Sequence, residues 1–178
     1  GQCLLRDPLS GVDAYNTTFT EFYLPGTDGA TAEPRDVALG NLTLNRDHPI
    51  NYHNERIIWF TEFVRNRIGR VSIVTGIMVE YTVPTPNSGP WNLAIDPYNG
   101  SVWFTEYQAN KIGRLFHVSG TTWRFIEYSL PTPNSYPVDI AVDPNYWHTS
   151  TTPWGTIDVQ THISVSYTHL RAHETVLD

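Results

Sequence analysis

The feature that most constrains this chain is a repeat. "IIWFTEFVRNRIGRV" at 57–71 returns as "VWFTEYQANKIGRL" at 102–115, and "VEYTVPTPNSGPWNLAID" at 79–96 returns as "IEYSLPTPNSYPVDIAVD" at 126–143. Ile68-Gly69-Arg70 and Ile112-Gly113-Arg114 lie 44 positions apart (112 − 68), and Glu80-Tyr81 and Glu127-Tyr128 lie 47 apart (127 − 80). A period in the mid-forties, rich in strand formers and turn residues and without helical periodicity, specifies one β-propeller blade per repeat. The sequence therefore predicts an all-β chain of four-stranded antiparallel blades, about three of them and so an incomplete propeller.

The second repeat shows the blade strand by strand. "WNLAID" gives the inner strand, Asp96-Pro97 and Asn99-Gly100 give a turn, and "SVWFTEY" returns antiparallel. "KIGRLF" makes the third strand and "WRFIEYSL" the outer one. "PTPNSGP" then crosses to the next blade, its prolines lacking the N–H groups a ladder needs. The near-continuous apolar runs fit sheets covered on both faces by neighbouring blades. In the first repeat an insert over 41–56 replaces the short turn and reads as a surface loop. Residues 1–18 read as an N-terminal extension, 19–163 as the partial propeller and 164–178 as a non-native tail. In that tail "VSYTHLRAHETVLD" breaks period and composition, so His169, His173 and Glu174 are expected to have no role. An open blade array is expected to leave an apolar face uncovered at each end and to aggregate or stay partly unfolded.

Hairpin geometry places the candidate site. Counting back from the turn puts Trp91 opposite Glu106 and Arg35 opposite Glu62, with Glu33 close by. The acidic ends of the two "WFTE" strands thus arrive on one rim, at the mouth of a central channel. Glu33, Glu62 and Glu106 are the candidate metal ligands, with ordinary rim charges as the alternative. Hard carboxylate oxygens suit Mg²⁺, which keeps several waters and takes few protein ligands. Arg35 and Trp91 are the candidate substrate-binding residues. Arg35 either orients an anionic group or bridges to Glu33 or Glu62, and Trp91 either stacks on a ligand or packs at the mouth. Trp59 and Trp103 read as inter-blade core, and Arg70 and Arg114 as residues holding blade geometry or lying on the surface. His48, His53, His117 and His148 have no recognisable partner.

Charge and cysteine content exclude whole classes. A formal charge of −7 argues against nucleic acid and anionic membranes as partners, and no apolar run reaches the length of a membrane span. Cys3 is the only cysteine, so the chain has no internal disulfide. Sequons at Asn16, Asn41 and Asn99 point to secretion, with the cytoplasm as the alternative.

These segments, "EYTVPTPNSGPWNLAID" and "VWFTEYQANKIGRL" with their echoes over 19–143, resemble the streptogramin lyase (virginiamycin B lyase) family. The resemblance implies a seven-bladed propeller, monomeric when full length, of which this chain is a fragment. It also implies a carbon–oxygen lyase that opens a cyclic depsipeptide lactone by elimination, using a histidine base and Mg²⁺. The family's base follows the proline that opens an inner strand. Here those positions hold Arg35, Trp91 and Val138, so the catalytic base is unassigned. Arginine stays protonated and is no base at neutral pH. Two other readings stand beside the lyase: a non-catalytic propeller binding protein or glycan, and a lactonase-type propeller with calcium in its channel.

Overall fold

In the computed structural model the backbone is described for residues 2–6, 13–18, 32–41, 56–97, 99–151, 157–167 and 175–177. Side chains are described for 32–40, 56–97, 99–143 and 163–166. His48, His53, His169 and His173, the insert apart from Arg56 and the Asn41 backbone, and most of the tail lie outside the described residues, as do the side chains of His148, Asn16 and Asn41.

All described elements are strands. β1 (Gln2–Arg6) and β2 (Asp13–Thr18) form an antiparallel hairpin. β3 (Pro34–Asn41), β4 (Arg56–Glu62), β5 (Arg67–Ser72) and β6 (Met78–Thr82) form the first blade, in the order 3-4-5-6. β7 (Pro90–Ile95), β8 (Val102–Glu106), β9 (Lys111–Ser119) and β10 (Thr122–Ser129) form the second, in the same order. β11 (Pro137–Thr151), β12 (Ile157–Tyr167) and β13 (Thr175–Leu177) make a three-stranded third sheet. β12 continues past the point where the sequence pattern stops, and Ile163 and Val165 on it are buried.

The predicted ladder holds through Val37↔Phe60 and Leu93↔Phe104, then slips by one residue at the rim. There the partners are Pro34↔Glu62 and Pro90↔Glu106, so Arg35 and Trp91 do not sit directly across from the glutamates. A bulge in each inner strand causes the slip. Proline has no N–H for the ladder, and the freed backbone N–H groups of Asp36 and Asn92 donate instead to Thr61 Oγ1 and Thr105 Oγ1, both at 3.1 Å.

Repeated residues also join one blade to the next. Asp36 Oδ2 accepts from Asn92 Nδ2 and from the Leu93 N–H, each at 2.9 Å, and Asn92 Oδ1 accepts from the Ile140 N–H at 3.1 Å. Thr61 Oγ1 donates to the Trp91 carbonyl at 3.0 Å. Each crossover is pinned by one asparagine with positive φ. Asn66 donates to the Val83 and Thr85 carbonyls and accepts from the Ser88 N–H and hydroxyl; Asn110 does the same with Leu130, Thr132 and Ser135.

Between the blades, Ile57, Trp59, Ile68 and Val83 of the first repeat pack on Leu93, Val102, Phe104 and Leu115 of the second. Glycine in "IGR" is required by this packing: a Cβ on Gly69 or Gly113 would drive into the ring of Phe60 or Phe104. Trp59 is buried as predicted, and Arg70 reaches over Trp59, Tyr81 and Trp123 with its guanidinium 5.4–5.9 Å from the three ring centroids. Trp103 is core between the second and third sheets, with Arg114 5.1 Å above it.

The two outer faces differ. On the first blade the face turned away from the second carries exposed Val37 and Leu39 and, with Ile58, Phe60, Val71 and Met78, an apolar cavity of about 420 Å³. On the third sheet the corresponding face carries Asp139, Ala141, Asp143, Ser164 and Ser166, all exposed and small or polar. An apolar face is therefore present at one end of the described array and not at the other.

Candidate functional site

Glu62 and Glu106 occupy the same place in successive repeats. Each is the last residue of a second strand, each is fully buried, and each has both carboxylate oxygens without a hydrogen-bond partner. Alternation along the strands sends them to equivalent faces of different blades. Glu106 shares its face with Val102 and Phe104 and lies in the seam between the first and second blades. Glu62 shares its face with Ile58 and Phe60, on the far side of the first blade.

Their surroundings differ in charge. Arg65, three residues after Glu62, is buried with it, its Nη1 standing 3.9 Å from Glu62 Oε2 and 3.9 Å from Glu80 Oε1. The second repeat has Ala109 in that place. Burial pushes the Glu62 carboxyl up to about 7, the neighbouring Glu80 carboxylate adds to the rise, and Arg65 and Arg67 oppose it. Burial likewise pushes Glu106 up to about 7, with Glu127 adding to the rise and Lys111 and the Ser88 hydroxyl opposing it. Lys111 is itself committed: its Nζ donates to Glu127 Oε2 at 3.1 Å and to Thr85 Oγ1 at 2.7 Å. The Ser88 hydroxyl donates elsewhere, to Asn66 Oδ1. Burial alone would raise Glu127 too, but hydrogen bonds from the Thr85 N–H and hydroxyl and from Lys111 overturn that and lower it.

Arg35 pairs with Glu33, one of the two bridges expected of it, and also meets Trp91, a contact the sequence reading did not contain. Arg35 Nη2 donates to Glu33 Oε2 at 2.9 Å, and both side chains are exposed. The guanidinium lies 4.7 Å from the Trp91 ring and 5.0 Å from that of Phe63. Trp91 stacks on Tyr107 at 5.0 Å, and Tyr107 packs on Tyr136 at 5.2 Å. This row of rings follows the rim. Its signal in the sequence was an aromatic residue, Phe63 or Tyr107, directly after each "WFTE". The Glu80 and Glu127 partners were signalled by the "EY" pair that marks the repeat.

Mg²⁺ is the ion the sequence resemblance implies. The orphaned oxygens of Glu106 are the hard donors such an ion takes. Among the described residues, however, no group of three or more His, Cys, Asp or Glu side chains is gathered to hold a metal ion. Glu33 faces Arg35, and Glu62 and Glu106 stand on different blades, so the three do not fit one magnesium centre.

The sequence profile of the virginiamycin B lyase family matches residues 45–170. The chain belongs to that family. Its fold is similar to a crystal structure of virginiamycin B lyase from Staphylococcus aureus, with a TM-score of 0.52 and 23% identity over 82% of this chain and 41% of that one. It is also similar to a catalytically inactive histidine-to-alanine variant of the Staphylococcus aureus enzyme with quinupristin. There the TM-score is 0.56 and the identity 25%, over 98% of this chain and 47% of that one. The chain spans less than half the length of either structure. No curated protein gives a significant match.

Proposed function

We propose that these blades form the substrate-facing wall of a carbon–oxygen lyase of the virginiamycin B lyase type, which opens a cyclic ester by elimination. The observation that carries this reading is Glu106: a fully buried carboxyl in a seam between blades, with both oxygens unpartnered and its ionisation moved to about neutral pH. Isolated buried carboxylates are costly, and displaced ionisation of this kind concentrates at functional sites. Glu106 can hold or release a proton near neutrality, or offer an oxygen pair to a cation. Trp91, Tyr107 and Tyr136 offer ring surface and edges to a depsipeptide on the same rim. None of Arg35, Trp91 and Val138 is a base, so the proton α to the ester carbonyl is assigned to no residue here. Glu106 by itself offers a magnesium ion one buried carboxylate, and neither Glu33 nor Glu62 joins it in one cluster among the described residues.

A second reading is favoured by those same three positions: a rim that binds a small lactone or peptide without opening it. Incubation with a streptogramin B lactone, with and without EDTA, separates the two. Elimination gives a ring-opened product of unchanged mass, hydrolysis one heavier by a water, and a binder returns the intact lactone. A ring-opened isomer formed only without EDTA supports the lyase and the ion together. Intact lactone in both arms removes the lyase reading for this chain.

A further inference from the structure

Glu33, Phe63 and Trp91 enclose a small box on the rim, of which the ester-opening reading uses only the Trp91 ring. Two of its walls are rigid. Trp91 is held between Tyr107, stacked at 5.0 Å, and Phe63, edge-on at 5.6 Å. The third wall, Glu33, has a φ of 45°, a conformation that disfavours a side chain. Its backbone is needed there, because the Phe63 N–H donates to the Glu33 carbonyl at 3.2 Å. Gly89 meets the same need in the next repeat, accepting from the Tyr107 N–H at 3.1 Å with no side chain at all. Backbone geometry therefore does not call for a carboxylate at 33, yet one is present and it faces the box.

The box already contains a cation. Arg35 lies within cation–π distance of both rings and, among the described residues, has one ion pair, to Glu33. It is also the movable member: a long side chain, 37% exposed, held by an exposed ion pair of the kind that contributes little. We propose that this box is a binding site for the cationic group of a ligand, an alkylammonium or guanidinium, which Arg35 occupies from within and vacates when the ligand binds. The negative ring faces, the carboxylate and the −7 net charge of the chain all select a cation. An anionic ligand would have to displace Glu33 from Arg35 and would gain nothing from the rings. The inference goes beyond the lyase reading and does not depend on it.

The test titrates the full 178-residue chain with tetramethylammonium chloride against sodium chloride at equal ionic strength, following by NMR the backbone amides of Phe63 and Tyr107, which every variant below retains. Arg35→Ala removes the internal competitor and is expected to tighten binding about three- to fivefold, the scale of one exposed cation–π contact. Arg35→Lys, which restores a competing cation, should return affinity toward the wild-type value. Trp91→Leu should abolish saturable binding, and Glu33→Gln should weaken it severalfold. Arg35→Ala binding no tighter than wild type, or unchanged affinity in Trp91→Leu, overturns the proposal.

Discussion

Glu62 and Glu106 hold the same place in successive repeats, and burial pushes both up to about 7, yet only Glu62 has a guanidinium buried beside it. The first repeat places Arg65 beside its glutamate, buried with it, and shares that cation between Glu62 and Glu80. The second has Ala109 there, and its nearest cation, Lys111, is taken by Glu127 and Thr85. The buried strand-terminal acid therefore occurs both with a cation beside it and without one. Beside Glu62 the chain has supplied a guanidinium, although burial and Glu80 still push that carboxyl up to about 7. Where it has not, the carboxyl is left with an uncompensated cost that a proton, or a bound cation, can relieve.

The largest effect that sharpens this contrast is expected from Arg65→Ala. It leaves Glu62 and Glu80 buried without their shared cation and should cost roughly 2–4 kcal/mol in chemical denaturation at pH 8, a loss that shrinks near pH 5. Equal loss at both pH values would show that Arg65 acts by packing rather than charge. Next comes Glu106→Gln, with the opposite sign. The folded Glu106 carboxyl titrates at about 7 against an ordinary 4.5. Between those values the native state binds more protons than the unfolded one. This group's contribution to stability therefore falls as pH rises through about 4.5 to 7 and is level above it. Glu106→Gln should thus leave stability nearly unchanged at pH 4.5 and raise it by roughly 1–2 kcal/mol at pH 8. A variant destabilised at pH 8 breaks the comparison. The smallest effect is expected from Ala109→Arg, which gives the second repeat the cation of the first. It should flatten the pH dependence of the melting temperature by about the equivalent of 1 kcal/mol, and an unchanged slope would mean that position 109 does not reach Glu106.

The blade period, strand order and most of the register were legible because hydrophobic strands and turn residues recur at a fixed interval. The pairing counted back from the turn holds as far as Val37↔Phe60 and Leu93↔Phe104. The last pair was missed because the bulge depends on threonine hydroxyls accepting the freed N–H groups, and no local pattern announces that. Glu62 and Glu106 were legible as strand ends, but not their burial or the sides they face, which depend on how blades stack. The box around Arg35 was only half visible. Its members come from three separated segments, and the rings of Phe63 and Trp91 meet only after the inner strand of the second blade docks on the first. The polar outer face of the third sheet was not anticipated, because the sequence pattern of the first two blades was extended to a sheet whose second strand carries Ser164 and Ser166 in the places of tryptophan and threonine.

The account rests on Glu106 being a buried carboxyl without a cation of its own, and its titration tests that directly. A pH series of carboxyl-carbon NMR spectra on selectively labelled protein, assigned with Glu106→Gln, should give this group a midpoint about two and a half units above the ordinary 4.5, at about 7. A midpoint at 4.5 would mean that solvent or an unrecognised donor already satisfies the carboxylate, and the contrast between the two repeats would be wrong.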